Sequence, residues 1–136
     1  MIKSGRALLL TFIALFFSAT AIAQEGHPLV GTWLGDWGPT ADDRNFLTII
    51  MYWDGKNITG IVNPGPDSSE LKIAKLDSST WTVAFEADVK DDAGQAHHLK
   101  ANGKLDKIGT QTRTLAGIWE HDQGKGSFTL ERQSGP

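Results

Sequence analysis

The side chains of this chain best suited to chemistry are four histidines, one tyrosine and five tryptophans. His97 shares a strand face with Leu99 and Ala101, which aims its imidazole inward, and His98 then points outward. Arg113, Leu115, Gly117, Trp119 and His121 alternate along one further inward row. His97, Arg113 and His121 beside tryptophans would hold an acidic or polar ligand head. The same imidazoles at a wet rim would bond only water, and the sequence leaves both readings open. Adjacent histidines on a strand point two ways, so His97-His98 lacks the same-face geometry of a chelating pair, and no metal or cofactor is expected. Catalytic motifs are missing as well. The chain has no cysteine, no Gly-x-Ser-x-Gly elbow, no phosphate-binding loop and no His-Glu-x-x-His. The carboxylate pairs Asp42-Asp43 and Asp91-Asp92 fall in turn sequence, where solvation is the ordinary setting. No catalytic residue is assigned. Were the chain an enzyme of the barrel-isomerase kind, His97 and Tyr52 would be the residues to change first.

These side chains must be positioned by strands. From residue 30 onward the chain shows period-two alternation broken by turn residues. The clearest segment sets Trp81, Val83, Phe85, Ala87 and Val89 on one face against Thr82, Glu86 and Asp88 on the other. Seven further strands are expected at Val30–Trp37, Phe46–Trp53, Ile58–Val62, Leu71–Leu76, Ala96–Leu105, Arg113–His121 and Ser127–Arg132. Asp54-Gly55 supplies the turn chemistry of a tight hairpin. The prolines of "NPGPDSS" lack the backbone donor a ladder needs. Eight antiparallel strands joined in order by short loops leave no room for a crossover helix. Closing them on themselves removes both sheet edges, so the expected fold is an all-β, eight-stranded up-and-down barrel with a lumen for side chains or one small ligand.

The first 23 residues have a different composition. "MIKSGR" carries two positive charges, Ala7 to Phe17 is apolar apart from one Thr, and Ala21-Ile22-Ala23 is a small-x-small pattern before Gln24. This is the layout of a secretory signal peptide cleaved after Ala23, and the apolar run is shorter than a membrane span requires. Export to a bacterial periplasm or beyond is therefore expected, with no membrane span after cleavage. The remaining 113 residues suffice for one domain (24–136) that folds without disulfides. Its 11 basic and 16 acidic side chains give a net charge of −5, and the basic residues form no patch. That argues against nucleic acid and anionic lipid as partners.

The hairpins carry a resemblance to a known group. Gly31-Thr32-Trp33 opens the first strand, "WDGKNITGIV" forms the second hairpin, and "LAGIW" followed by "GSFTLER" forms the last. This pattern, spread over residues 24–136, resembles the calycins, the lipocalin and avidin type of barrel. In the lipocalin branch the motif tryptophan lies across the closed end beside a basic residue of the last strand. The resemblance thus implies a barrel floor at Gly31, Trp33 and Arg132. In the avidin branch tryptophans line a small apolar pocket, which makes Trp37, Trp53, Trp81 and Trp119 candidate ligand contacts, with Tyr52 as a hydroxyl donor. Core filling by the same tryptophans is the alternative.

Two functions follow as expectations. One is a binding protein for a small apolar or amphipathic molecule, with Trp37, Tyr52, Trp53, Trp81, His97, Arg113, Trp119 and His121 as candidate contacts. The other is a filled barrel that engages or inhibits a secreted or envelope protein, its arm being Gln24 to Pro28.

Overall fold

Strict alternation of buried and exposed side chains builds a sheet with one dry and one wet face. Ala96–Asp106 shows it over eleven residues, with His97, Ala101, Gly103 and Leu105 buried and His98, Lys100, Asn102 and Lys104 exposed. The computed structural model describes residues 27–66, 68–90 and 93–134. The expected leader, residues 24–26 of the arm, and Asp91-Asp92 lie outside the described residues. The strands are β1 (Gly31–Gly38), β2 (Asn45–Trp53), β3 (Ile58–Val62), β4 (Ser69–Asp77), β5 (Thr82–Lys90), β6 (Ala96–Asp106), β7 (Thr114–His121) and β8 (Gly124–Arg132). Each pairs antiparallel with its neighbour in sequence, and β1 pairs with β8, so the sheet closes into an up-and-down barrel. No helix is long and apolar enough to cross a membrane among the described residues.

The eight strands sit where the alternation predicts them, with shifts at the turns. The last hairpin is tighter than expected: β8 begins at Gly124, which leaves only Asp122 and Gln123 in the connection. Trp81 belongs to the turn rather than to β5. Its φ of 55° is a left-handed conformation that bulky residues rarely adopt. Asp77 accepts hydrogen bonds from the Ser79 amide and hydroxyl and thereby builds the turn that ends there. In the β2–β3 hairpin the Asp54 carboxylate accepts from the Lys56 and Asn57 amides at 2.8 and 2.7 Å, as the Asp-Gly pair implied.

The interior is layered. Leu105, Leu115 and Leu130 face one another across β6, β7 and β8, and all three are fully buried. Gly103, Gly117 and Phe128 form the next layer, and Ala101, Trp119 and Gly126 the one above it. Small residues stand beside large ones, which leaves room for the aromatic rings. The Phe128 ring reaches within 3.0 Å of where a β-carbon on Gly103 would stand. The space left by this glycine row therefore goes to a large neighbour. Gly117 itself opens no void, because it faces the backbone of β6.

One exposed cluster makes stability depend on pH. His98 Nδ1 pairs with Asp88 and Nε2 with Glu86, both at 2.8 Å, and Lys72 reaches the other oxygen of Asp88. The bonds to Asp88 and then to Glu86 raise the His98 pKa above its ordinary 6.5. A group whose pKa is raised on folding stabilises the fold fully below its unfolded pKa and loses that contribution as pH rises through the folded value. Lys72 first, and then His98, lower the Asp88 pKa below its ordinary 3.8, so its contribution is present above that value and fades in acid. Urea titrations of the wild type and His98→Gln should differ most just below pH 6.5, where Asp88 is still ionised, and converge as the pH rises through the raised folded-state value. A difference that grows with pH would contradict this pairing.

Candidate functional site

The two ends of the barrel are built differently. At one end lie the starts of β1, β3, β5 and β7 and the ends of β2, β4, β6 and β8. Here the chain folds across the opening. Leu29 and Trp33 are both wholly buried, and Trp33 Nε1 donates to the Leu29 carbonyl at 2.9 Å. Two arginines fasten this floor. Arg132 Nε donates to Val30 O at 2.8 Å and Nη1 to Gln111 O at 3.1 Å. Arg113 donates to Pro28 O and Ile108 O at 3.1 Å each. The Arg132 guanidinium lies directly over Gly31, whose φ is +135° and whose missing β-carbon would stand 2.8 Å from Arg132 Nε. A side chain there would displace the arginine, so glycine suits the position on both counts.

Arg113 is therefore a floor residue and does not meet His97 and His121. It precedes β7, which ends at His121, and eight strand positions separate the two by about 25 Å. Burial, and then the neighbouring Arg132, lower its pKa below the ordinary guanidinium value. Three other expected ligand contacts also sit away from the open end. Tyr52 faces outward and Trp53 is 41% exposed at the end of β2, its ring stacked on His27 with centroids 4.9 Å apart. Trp81 packs against the core from the β4–β5 turn. Tyr52 falls on the outer face by the alternation of β2 itself, whereas for Trp53 and Trp81 the reason is position along the strand: alternation tells the inner face from the outer, but not the floor from the mouth.

At the opposite end is a cavity of about 150 Å³. Its apolar wall includes Trp37, Leu47, Leu71, Phe85, Trp119 and Phe128, and Asn63, Ser69 and Lys90 add polar groups. Trp37 and Trp119 meet edge to face with centroids 5.1 Å apart, and Trp119 Nε1 donates to Ser127 O at 3.1 Å. Trp37 and Trp119, two of the candidate ligand contacts, thus both line this cavity. The polar groups were not anticipated, since Asn63 and Ser69 flank the proline-rich loop and Lys90 ends a strand.

His97 and His121 come together at this same end. Their rings stack with centroids 5.3 Å apart, and His121 lies 5.3 Å from Trp119, so the aromatics run His97, His121, Trp119, Trp37 along the mouth. His97 is buried and donates from Nδ1 to Asp122 Oδ1 at 2.8 Å, a hydrogen bond between a dry ring and an exposed carboxylate. The Gln123 amide donates to His121 Nδ1 at 3.0 Å, which leaves that nitrogen unprotonated. Asp122 was missed from sequence. The parity of His97 and His121 on neighbouring strands could have pointed to the turn between β7 and β8.

The fold and site define an eight-stranded closed antiparallel barrel with a sealed floor and an apolar cavity at its mouth. Compared with known proteins, the chain matches no family model, no curated protein and no solved structure.

Proposed function

We propose that the protein is an exported, calycin-like barrel that binds the apolar part of a small amphipathic molecule in the cavity at its mouth. The observation that carries this reading is the cavity itself. A space of about 150 Å³ walled by aromatic and aliphatic side chains is of the size that takes a benzene-like group. A molecule with such a group buried would present its polar head to Asn63, Ser69 and Lys90. Lys90 favours a head that carries negative charge. Export to a bacterial periplasm or to the medium rests on the leader pattern of residues 1–23, and the calycin grouping on Gly31-Thr32-Trp33 opening β1 of a closed eight-stranded barrel.

Native mass spectrometry of protein taken from its own host should reveal a small-molecule adduct that leaves on denaturation, and the isolated molecule should quench tryptophan fluorescence when returned. Ala101→Leu places three carbons in the cavity between Phe85 and Trp119 and should weaken rebinding at least tenfold without loss of stability. A bare mass would overturn the reading and favour a filled barrel acting on a protein partner, and binding that Ala101→Leu leaves unchanged would overturn it by placing the molecule outside this cavity.

A further inference from the structure

The geometry points to a transition-metal site at the barrel mouth, formed by His97, His121 and Asp122, for a zinc-like divalent ion. It stands apart from the cavity reading and holds whether or not an organic ligand binds.

Two pieces of chain bring the three donors together. His97 lies at the start of β6, His121 at the end of β7, and Asp122 in the two-residue turn into β8. Antiparallel pairing of β6 with β7 sets the open ends side by side, and both histidines occupy inward positions. Asp122 Oδ1 stands between the rings, 2.8 Å from His97 Nδ1 and 3.6 Å from His121 Nδ1. One donor atom from each residue lies within 4.8 Å of the other two. Zinc bonds to nitrogen and oxygen of about 2.0–2.1 Å place tetrahedral donors about 3.3 Å apart. The triangle is therefore slightly open and closes with a small movement of one member. Asp122 is free to make it, since its side chain is 67% exposed on a turn.

The imidazoles are the fixed part. The His97 side chain is 3% exposed and that of His121 17%, and each ring is held by stacking, against the other and against Trp119. Such rings lose little freedom on binding an ion, which favours affinity. At His121 Nδ1 an ion would compete with the Gln123 amide, which water can satisfy in an exposed turn, and at His97 Nδ1 it would take the place of the proton now shared with Asp122 Oδ1, which is released on binding. Two imidazoles and one carboxylate suit zinc and its first-row neighbours, whereas calcium and magnesium prefer oxygen throughout. Three protein donors leave a fourth tetrahedral position for water or a Lewis-basic head group, at the edge of the cavity that Trp119 lines.

The test uses untagged protein stripped with a chelator and titrated with Zn²⁺ against a competing chromophoric chelator, followed by long-range ¹H–¹⁵N spectra of the four imidazoles. One equivalent should bind, with the His97 and His121 ring signals shifting and those of His27 and His98 unmoved. His121→Ala and Asp122→Asn should each weaken binding tenfold or more, Ca²⁺ should not compete, and His98→Gln should change nothing. No saturable uptake would overturn the assignment. So would uptake insensitive to both mouth variants, or uptake carried by His98 with Glu86 and Asp88.

Discussion

Trp33→Ala is expected to lower the stability of the barrel by about 3–5 kcal/mol, the range for removing a buried tryptophan from a core that cannot collapse around the gap. Two features of the floor put it in that range. The indole is fully enclosed, beneath a turn that reaches back across the barrel end from His27 to Val30. Its Nε1 also satisfies the Leu29 carbonyl, so alanine leaves a buried acceptor without its donor as well as a hole. The neighbours have little freedom to fill it. Leu29 is tied to that turn, and Arg132, paired in register with Trp33 across β1 and β8, is held by Val30 and Gln111. A domain of this size has about 5–15 kcal/mol in total, so the variant should be marginal at room temperature. Urea unfolding with an unchanged m-value and a midpoint near the native baseline is the expected result, and Trp33→Phe should recover part of the loss. A change below about 1 kcal/mol would mean that the floor turn repacks freely and that Trp33 does not seal the barrel.

The barrel was readable from the chain because its determinants are local. Val83, Phe85 and Ala87 declare one face, Asp54-Gly55 declares a hairpin, and short ordered connections leave closure as the only way to hide the edges. The position of the site was readable only in part, because depth along a barrel axis is a non-local property. Trp37 and Trp119 lie near strand ends that the topology sends to the mouth. Trp53 and Trp81 lie near ends that it sends to the floor, where one stacks on His27 and the other completes a turn. The same sorting separates Arg113 from His121, although both lie on one alternating row. Asp122 was invisible for a different reason: a carboxylate in a turn is ordinary until the register of two neighbouring strands places it between two imidazoles.

The glycines of the β6–β7 pair lead to the second large effect. Alanine for glycine at an unstrained strand position ordinarily stabilises by about 0.5–1 kcal/mol, because the unfolded chain loses freedom. Gly117→Ala should instead destabilise by about 3 kcal/mol or more, above the usual range for overpacking. A β-carbon on Gly117 would stand 1.9 Å from Asn102 O and 2.5 Å from Gly103 Cα, and both are backbone atoms of the facing strand rather than the yielding end of a side chain. Relief requires β6 and β7 to part at Gly103 and Gly117, directly opposite each other in the ladder. In an open sheet the outer strand could swing away. Here β7 is paired with β8 and β8 with β1, so the displacement must be absorbed around a closed ring, and the Phe128 ring packed over Gly103 moves with it. Gly109→Ala, in a loop with no atom near its β-carbon position, is the matched control and should stay within about 0.5 kcal/mol of wild type. Equal stability of the Gly117 and Gly109 variants would mean that β6 and β7 do not approach this closely, and that the layer of Gly103, Gly117 and Phe128 is not what sets the barrel's curvature at this level.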